Sequence, residues 1–177
     1  PNCDCGRFME IGNNVFMGYQ KKSESEFVAL KAPNIDHGSG LERIAAASLN
    51  NPDVFKTDLI WPIIEKLQEL SGKTYESDKQ ALQVVSDHLK GAYWLAVDGV
   101  TPSNTGQGYV MRRLMRRAIR FGHELGIQNN LTTQLVPVIK GIYGDDFPEF
   151  VEKYDDVLLI LEKEERIFVS HLYSNCG

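Results

Sequence analysis

The sequence predicts an α+β chain, with a short N-terminal β segment followed by a mainly α-helical domain. Residues 7–32 alternate loosely between apolar and polar side chains around one polar turn. From Leu41 onward, apolar residues recur at three- and four-residue steps, the spacing of one helix face. Glycine and proline fall between those periodic runs, where helices start and stop.

The β segment rests on Phe8, Glu10 and the stretch Asn14–Tyr19, a polar turn at Lys21-Lys22-Ser23-Glu24-Ser25-Glu26, and a second strand at Phe27-Val28-Ala29-Leu30. Two strands alone are marginal, so these residues read as the tail of a larger sheet whose other strands lie elsewhere. Leu41, Ile44, Ala45 and Leu49 mark the first helix. Thr57 or Asp58 is the expected cap of a second, with Leu59, Ile63, Leu67 and Leu70 on one face and Gly72 as its stop. Leu82, Val85, Leu89, Ala92 and Ala96 mark a third, ending at Asp98-Gly99. The fourth carries Val110, Leu114, Ala118, Phe121 and Leu125 on its expected apolar face. A fifth covers 131–142, where Pro137 predicts a kink or a late start. The last runs from Phe147 to beyond Phe168 and packs through Phe150, Tyr154, Val157, Leu161 and Phe168. No internal repeat or low-complexity segment interrupts them.

With 177 residues, 42% hydrophobic and 24% charged, the chain has the composition of a globular protein of one large or two small domains. No stretch reaches the ~20 apolar residues of a membrane helix, and no secretory signal is present, so the expected setting is cytoplasmic with no membrane partner. The first residue is not methionine, which fits a fragment or a processed form. Cys3, Cys5 and Cys176 sit at the two ends with no partner CxxC, and read as free thiols of a reducing compartment. His37, His88, His123 and His171 show no metal-ligand spacing, so no metal site is expected; His88 reads as a satisfied core histidine.

The formal net charge is -5, yet Arg112, Arg113, Arg116, Arg117 and Arg120 crowd one helix with no acidic residue until Glu124. Arg112, Arg116 and Arg120 follow i, i+4, i+8, and Arg113 and Arg117 repeat the step on an adjoining row. Like charges stacked this way repel by a few tenths of a kcal/mol per pair unless something negative lies against them. Nucleic acid is the natural candidate, although arginine also serves simply as a soluble helix former. The loop before the helix supplies Ser103, Asn104, Thr105 and Gln107, short groups that donate and accept at base or sugar edges. The final helix is acidic, with nine Asp/Glu against three Lys/Arg between Asp145 and Arg166; a solvated face is the preferred reading.

At Asp36-His37-Gly38-Ser39-Gly40-Leu41-Glu42-Arg43 an extended segment passes to a helix through a glycine turn. Glycines let backbone approach a ligand, helix N–H groups favour phosphate, and a guanidinium grips two oxygens. The pattern is neither a Walker loop nor GxGxxG, and such turns also occur without ligands.

Together these segments resemble one family. Gly38-Ser39-Gly40-Leu41-Glu42-Arg43-Ile44-Ala45 resembles motif 3 of the class II aminoacyl-tRNA synthetases in its alanyl form, and Asp98–Asn104 with Gly108–Arg113 and Arg116-Arg117-Ala118 is similar to that family's tRNA-recognition segment. Asp87-His88 and the stretch from Glu10 to Met17 align in order, so the resemblance covers nearly the whole chain. It implies that residues 1–50 are the C-terminal part of a class II aminoacylation domain, its β segment the remnant of an antiparallel sheet, and that 51–177 are a helical tRNA-recognition domain. It further implies that Asp36 holds the alanine ammonium with Asn13 and Val15 lining the pocket, and that Gly38, Gly40 and Arg43 serve ATP, carried with Mg2+. Asn104 would reach the G·U wobble pair of the alanine tRNA acceptor stem, with Arg112, Arg113, Arg116, Arg117 and Arg120 on the phosphates. Motifs 1 and 2 are not in this sequence, so these residues alone are expected to bind RNA without activating alanine or needing a cofactor. Gly12 and Asn14 stand where the family pattern Glu-Ile-Trp-Asn-Leu-Val-Phe has tryptophan and leucine. A second base-reading aspartate of the family falls past residue 177.

Two other readings compete. One is a synthetase-derived adaptor for protein interaction or general RNA binding. The other, a DNA-binding helix-turn-helix, is disfavoured because the loop from Asp98 to Gly108 exceeds the usual ~3–4-residue turn, so no DNA partner is expected.

Overall fold

A computed structural model of the chain describes residues 8–128 and 130–174; Cys3, Cys5 and Cys176 lie outside them. The chain divides into two compact units with the break between Thr57 and Asp58.

In the first unit, β1 (Gly12–Lys21) pairs antiparallel with β2 (Phe27–Ser39). The turn closes where Lys22 N donates to Glu26 O at 3.0 Å. β2 is longer than the alternation suggests, because an irregularity at Gly18 lets Met17 pair with Asn34 while Tyr19 pairs with Ala29. Pro33 falls in the unpaired stretch opposite that irregularity, where its missing N–H costs no ladder bond. The glycine segment is therefore not a turn: β2 runs straight to Ser39, and Gly40 caps α1 (Leu41–Ser48). Both hairpin faces are open, with Phe16 75% and Tyr19 70% exposed. Ala46 is the buried residue of α1, whereas the expected face of Leu41, Ile44 and Leu49 is exposed. A 3-10 turn, Val54–Lys56, follows, its start capped by Asp53 accepting from Phe55 N. Thr57 belongs to that turn, donating to Val54 O at 2.9 Å rather than capping the next helix.

The second unit is helical: α2 (Trp61–Ser71), α3 (Lys79–Val97), α4 (Gly106–Glu124), α5 (Leu131–Tyr143), α6 (Glu149–Glu152) and α7 (Tyr154–Ser174). α2 starts later than predicted, after Ile60 and with Pro62 in its first turn, where the lost N–H is free of cost. It stops at Gly72, left-handed at φ 68°, as its sequence signals. α5 starts at Leu131 and continues through Pro137, so there is no late start. The final helix is broken at Lys153 into α6 and α7.

The core runs along α3, where Leu82, Val85, Leu89, Ala92 and Ala96 are buried at helical spacing. The α4 residues buried are Gly108, Met111, Met115, Ala118, Ile119 and Gly122. Ala118 and Leu125 of the predicted row are buried as expected, but in the first half of the helix Met111 and Met115 are buried instead, with Val110 exposed and Leu114 half-buried. Both rows are apolar at i, i+4; Leu114 approaches Gly91 of α3, and the fully buried row is the one containing the methionines, whose flexible side chains fill irregular space. Tyr93, Trp94, Tyr143, Phe147 and Phe150 form an aromatic cluster, with Trp94 and Phe150 centroids 4.4 Å apart. The Tyr93 hydroxyl donates to Phe150 O at 2.8 Å and fastens α6 to α3. Burial pushes the Tyr93 phenol up to about 12.

Candidate functional site

Each unit carries one part of the predicted site. In the hairpin, side chains directly opposite in an antiparallel pair share a face, and alternate residues along a strand return to it. Asn13 pairs with Gly38 and Val15 with Asp36, so those four positions lie on one face of the sheet. Gly12, Asn14, His37 and Ser39 lie on the other, where His37 Nδ1 and Asn14 Oδ1 are 2.8 Å apart. The two departures from the family pattern, Gly12 and Asn14, are thus on the face opposite Asn13 and Val15.

A shallow cleft of about 220 Å3 opens at the hairpin end, lined by Glu10, Asn13, Gly38, Ser39, Gly40 and Arg43 among others. Two bonds shape it. Gly40 N donates to Ile11 O at 3.0 Å, and the Arg43 Nη1 donates to Glu10 O at 2.8 Å. Asn13 Nδ2 donates to Glu10 Oε1 at 3.2 Å. No side chain caps α1, so its first N–H groups begin beside the cleft with Gly40 as the cap residue. The cleft combines uncapped helix N–H groups and a guanidinium, a donor set suited to a phosphate, whereas Asp36 and Val15 are not among its lining residues. Among the described residues, no cluster of three or more His, Cys, Asp or Glu could hold a metal ion.

In the second unit, the loop from Asp98 to Thr105 is pressed onto the first turn of α4. Ser103 N donates to Gly108 O at 3.1 Å, and Ser103 Oγ to Thr105 O at 2.8 Å. Gly108 is required there: a Cβ would lie 2.3 Å from Thr101 O and 2.4 Å from Ser103 Oγ. The close fit brings Asn104 beside Arg112, whose Nη1 donates to the Asn104 Oδ1 while Nη2 donates to Pro102 O at 3.4 Å.

The five arginines divide into two groups. Arg116 Nε donates to Glu164 Oε1 at 3.0 Å, and Arg112 Nε forms an ion pair with the same oxygen at 3.3 Å, off the hydrogen-bond direction. Glu164, on α7, is only 3% exposed. Part of the expected counter-charge is therefore intramolecular. Arg113, Arg117 and Arg120 are exposed. With Arg116 and Phe168 they line a groove of about 370 Å3. Arg113 lies over the Tyr109 ring at 5.8 Å, and Arg117 and Arg120 flank Phe121 at 5.9 and 5.3 Å. Arg120 reaches only 3.8 Å from Glu124, a weak exposed pair.

The acidic last helix is not uniformly a solvated face. Asp155 and Asp156 are exposed, but Glu164 and Glu165 are buried. Glu165 accepts from Leu131 N at 2.8 Å, Thr132 N at 3.0 Å and the Thr132 hydroxyl, capping α5 from another helix. Register accounts for this burial: positions 164 and 165 follow Leu161 at i+3 and i+4, within the apolar stripe that reaches Phe168. His88 is satisfied as expected, although half-buried rather than in the core. It is a partner of Asp87, Nδ1 to Oδ2 at 2.8 Å, and that hydrogen bond holds the Asp87 carboxyl below its ordinary value.

Comparison with known proteins decides the family. The description tRNA synthetases class II (A) matches residues 1–174. This chain belongs to that family. Among relatives of the class II (A) chain is the alanine–tRNA ligase of Borrelia garinii subsp. bavariensis, 41% identical over 176 residues, covering 97% of this chain and 30% of the relative. The alanine–tRNA ligase of Desulfosudis oleivorans is 41% identical over 168 residues, 93% of this chain and 19% of the relative. That of Leptospira biflexa is 40% identical over 173 residues, 97% of this chain and 19% of the relative. The chain thus spans less than a third of the length of these relatives. No helix among its described residues is long and apolar enough to cross a membrane.

Proposed function

We propose that this chain is the part of an alanine–tRNA ligase that binds the acceptor stem of alanine tRNA, and that it also carries one wall of the alanine and ATP site. The carrying observation is the exposed set Arg113, Arg117 and Arg120 next to a loop that holds Asn104 at the surface, in a chain of the class II (A) tRNA synthetase family.

A-form RNA offers a wide minor groove with 2′-hydroxyls and base edges, flanked by phosphates. A helix with exposed arginines suits the phosphates, which set position, and a loop asparagine suits a base edge, which sets identity. In this reading Arg113, Arg116, Arg117 and Arg120 hold the stem, Arg112 acts beside Asn104, and Asn104 reads the G·U wobble pair. Tyr109, 46% exposed, adds an aromatic surface at the edge of the patch.

On the hairpin, Asp36 holds the alanine ammonium, with Asn13 and Val15 on the same face. Gly38 and Gly40 let backbone approach ATP, and Arg43 with the uncapped α1 terminus takes its phosphates; magnesium arrives on the triphosphate. For the whole protein, the reaction is ATP-dependent activation of alanine and its transfer to the tRNA. The compartment is the cytoplasm.

The test is RNA binding by two variants. Arg117→Ala weakens binding to every acceptor-stem hairpin and lowers the slope of log affinity against log salt by about one. Asn104→Ala removes discrimination for the wobble pair and leaves general affinity close to that of the parent chain. Equal weakening of all hairpins by Asn104→Ala contradicts base reading. No binding at low salt favours the protein-interaction adaptor instead.

A further inference from the structure

We propose that Glu164 and Arg112 are positioning residues that fix the side-chain amide of Asn104 with its N–H group outward, making it a donor for an acceptor on the RNA minor-groove edge. This rests on the reading of Asn104 as the base-reading residue and specifies how it is aimed.

The orientation follows from donor chemistry. A guanidinium has five N–H donors and no acceptor, so the Asn104 amide has to turn its oxygen toward Arg112. Its amide nitrogen is then the group left for a ligand. Arg112 is itself held from two sides. Its Nη2 donates to Pro102 O at 3.4 Å, tying it to the same loop, and its Nε pairs with Glu164 Oε1 at 3.3 Å. Glu164 is the fixed point. It is almost fully buried, and the same Oε1 accepts from Arg116 Nε at 3.0 Å. The groove of about 490 Å3 beside this triad is lined by Thr101, Pro102, Arg112, Ile160, Lys163, Glu164 and Ile167, so the loop and α7 meet across it.

One consequence separates Arg112 from its neighbours. A side chain whose Nη1 and Nη2 are bound to the loop and whose Nε faces a buried carboxylate is poorly placed to grip a phosphate, whereas Arg113 and Arg117 are exposed. Arg112 therefore contributes to identity rather than to general affinity. A donor held in place distinguishes a wobble uracil from a Watson–Crick cytosine, because the wobble geometry displaces the pyrimidine O2. A freely rotating amide presents either its donor or its acceptor and discriminates poorly.

Two variants test this in the 177-residue chain. Arg112→Lys keeps the charge but one ammonium cannot span Asn104, Pro102 and Glu164 together. Glu164→Gln keeps the shape and removes the charge that anchors Arg112. The probes are two acceptor-stem hairpins that differ only in a G·U against a G·C pair, with Asn104→Ala as reference. Both variants lower the affinity ratio between the hairpins by about fivefold, the worth of one ordinary hydrogen bond, and leave the salt slope unchanged. The Asn104 side-chain amide signals shift in their NMR spectra, a change that a merely structural role for Glu164 does not produce. If Glu164→Gln fails to fold, Arg112→Lys carries the test, since Arg112 is only half-buried.

If Asn104→Ala abolishes discrimination while both positioning variants retain the parent ratio, the proposal is overturned and the base-reading role stands. If Arg112→Lys instead lowers the salt slope and weakens both hairpins equally, Arg112 is a phosphate contact and the proposal fails. If the parent chain does not distinguish the hairpins, the base-reading role falls and takes the proposal with it.

Discussion

Adding one methyl group at Gly108 separates loop placement from helix stability. The Cβ of Gly108→Ala would lie 2.3 Å from Thr101 O, against about 3.4 Å for ordinary contact, so loop and helix have to part by roughly an ångström. Neither obstacle is the end of a flexible side chain: one is backbone, and Ser103 Oγ at 2.4 Å is already bound to Thr105 O. Overpacking of this kind costs about 1–3 kcal/mol, while alanine in place of glycine within a helix returns up to about 1 kcal/mol. The net destabilisation is about 0–2 kcal/mol, a fall in melting temperature of a few degrees for a unit of this size. The larger effect is local. Ser103 N loses its bond to Gly108 O, and Asn104 moves with the loop, so wobble discrimination falls while α4 and its exposed arginines stay. The assay pairs a thermal melt followed by circular dichroism with binding to the G·U and G·C hairpins. A Gly108→Ala chain with parental discrimination would refute the claim that the close loop-to-helix fit places Asn104.

Other perturbations probe the rest of the fold. Glu165→Ala removes the acceptor of Leu131 N, Thr132 N and the Thr132 hydroxyl; with buried donors left unpaired, stability drops by about 2–4 kcal/mol, read from urea unfolding. For Tyr93 the folded pKa, about 12, lies above the ordinary 10.0, so the unfolded state loses its proton first and stability falls between pH 10 and 12; Tyr93→Phe flattens this alkaline limb in pH-dependent melts. For Asp87 the sign is opposite: its folded value lies below 3.8, so its contribution is present above that pH and is lost as pH falls further, and Asp87→Asn removes that part of the acid transition. Arg43→Ala loses the bond to Glu10 O, and under the proposed function it weakens ATP binding to the full-length protein by at least about tenfold, measured by calorimetry.

The helical part of the fold was legible because its signals are local. Gly72 stops α2, and the α3 apolar row is buried as its spacing implies. What escaped depends on which of two equivalent options the tertiary packing selects. On α4 both the Val110–Leu114 row and the Met111–Met115 row are apolar, and only the tertiary packing chooses between them. The charge of Glu164 and Glu165 points to solvent, but their register within the α7 apolar stripe buries both. In the hairpin, the sharing of one face by Asn13, Val15, Asp36 and Gly38 depends on the register beyond Gly18. The irregularity there offsets the strands by several residues, and nothing in the local alternation reports its size. The arginine cluster was visible from sequence, but its division between Glu164 and the exposed face required α7 in place.

The central claim is that this chain reads the acceptor stem of alanine tRNA. It is tested most directly by measuring the affinity of the unmodified chain for the G·U hairpin and its G·C counterpart at two salt concentrations. The account predicts tighter binding to the G·U form at both, with affinity for each falling steeply as salt rises. Equal affinity for the two hairpins would contradict it.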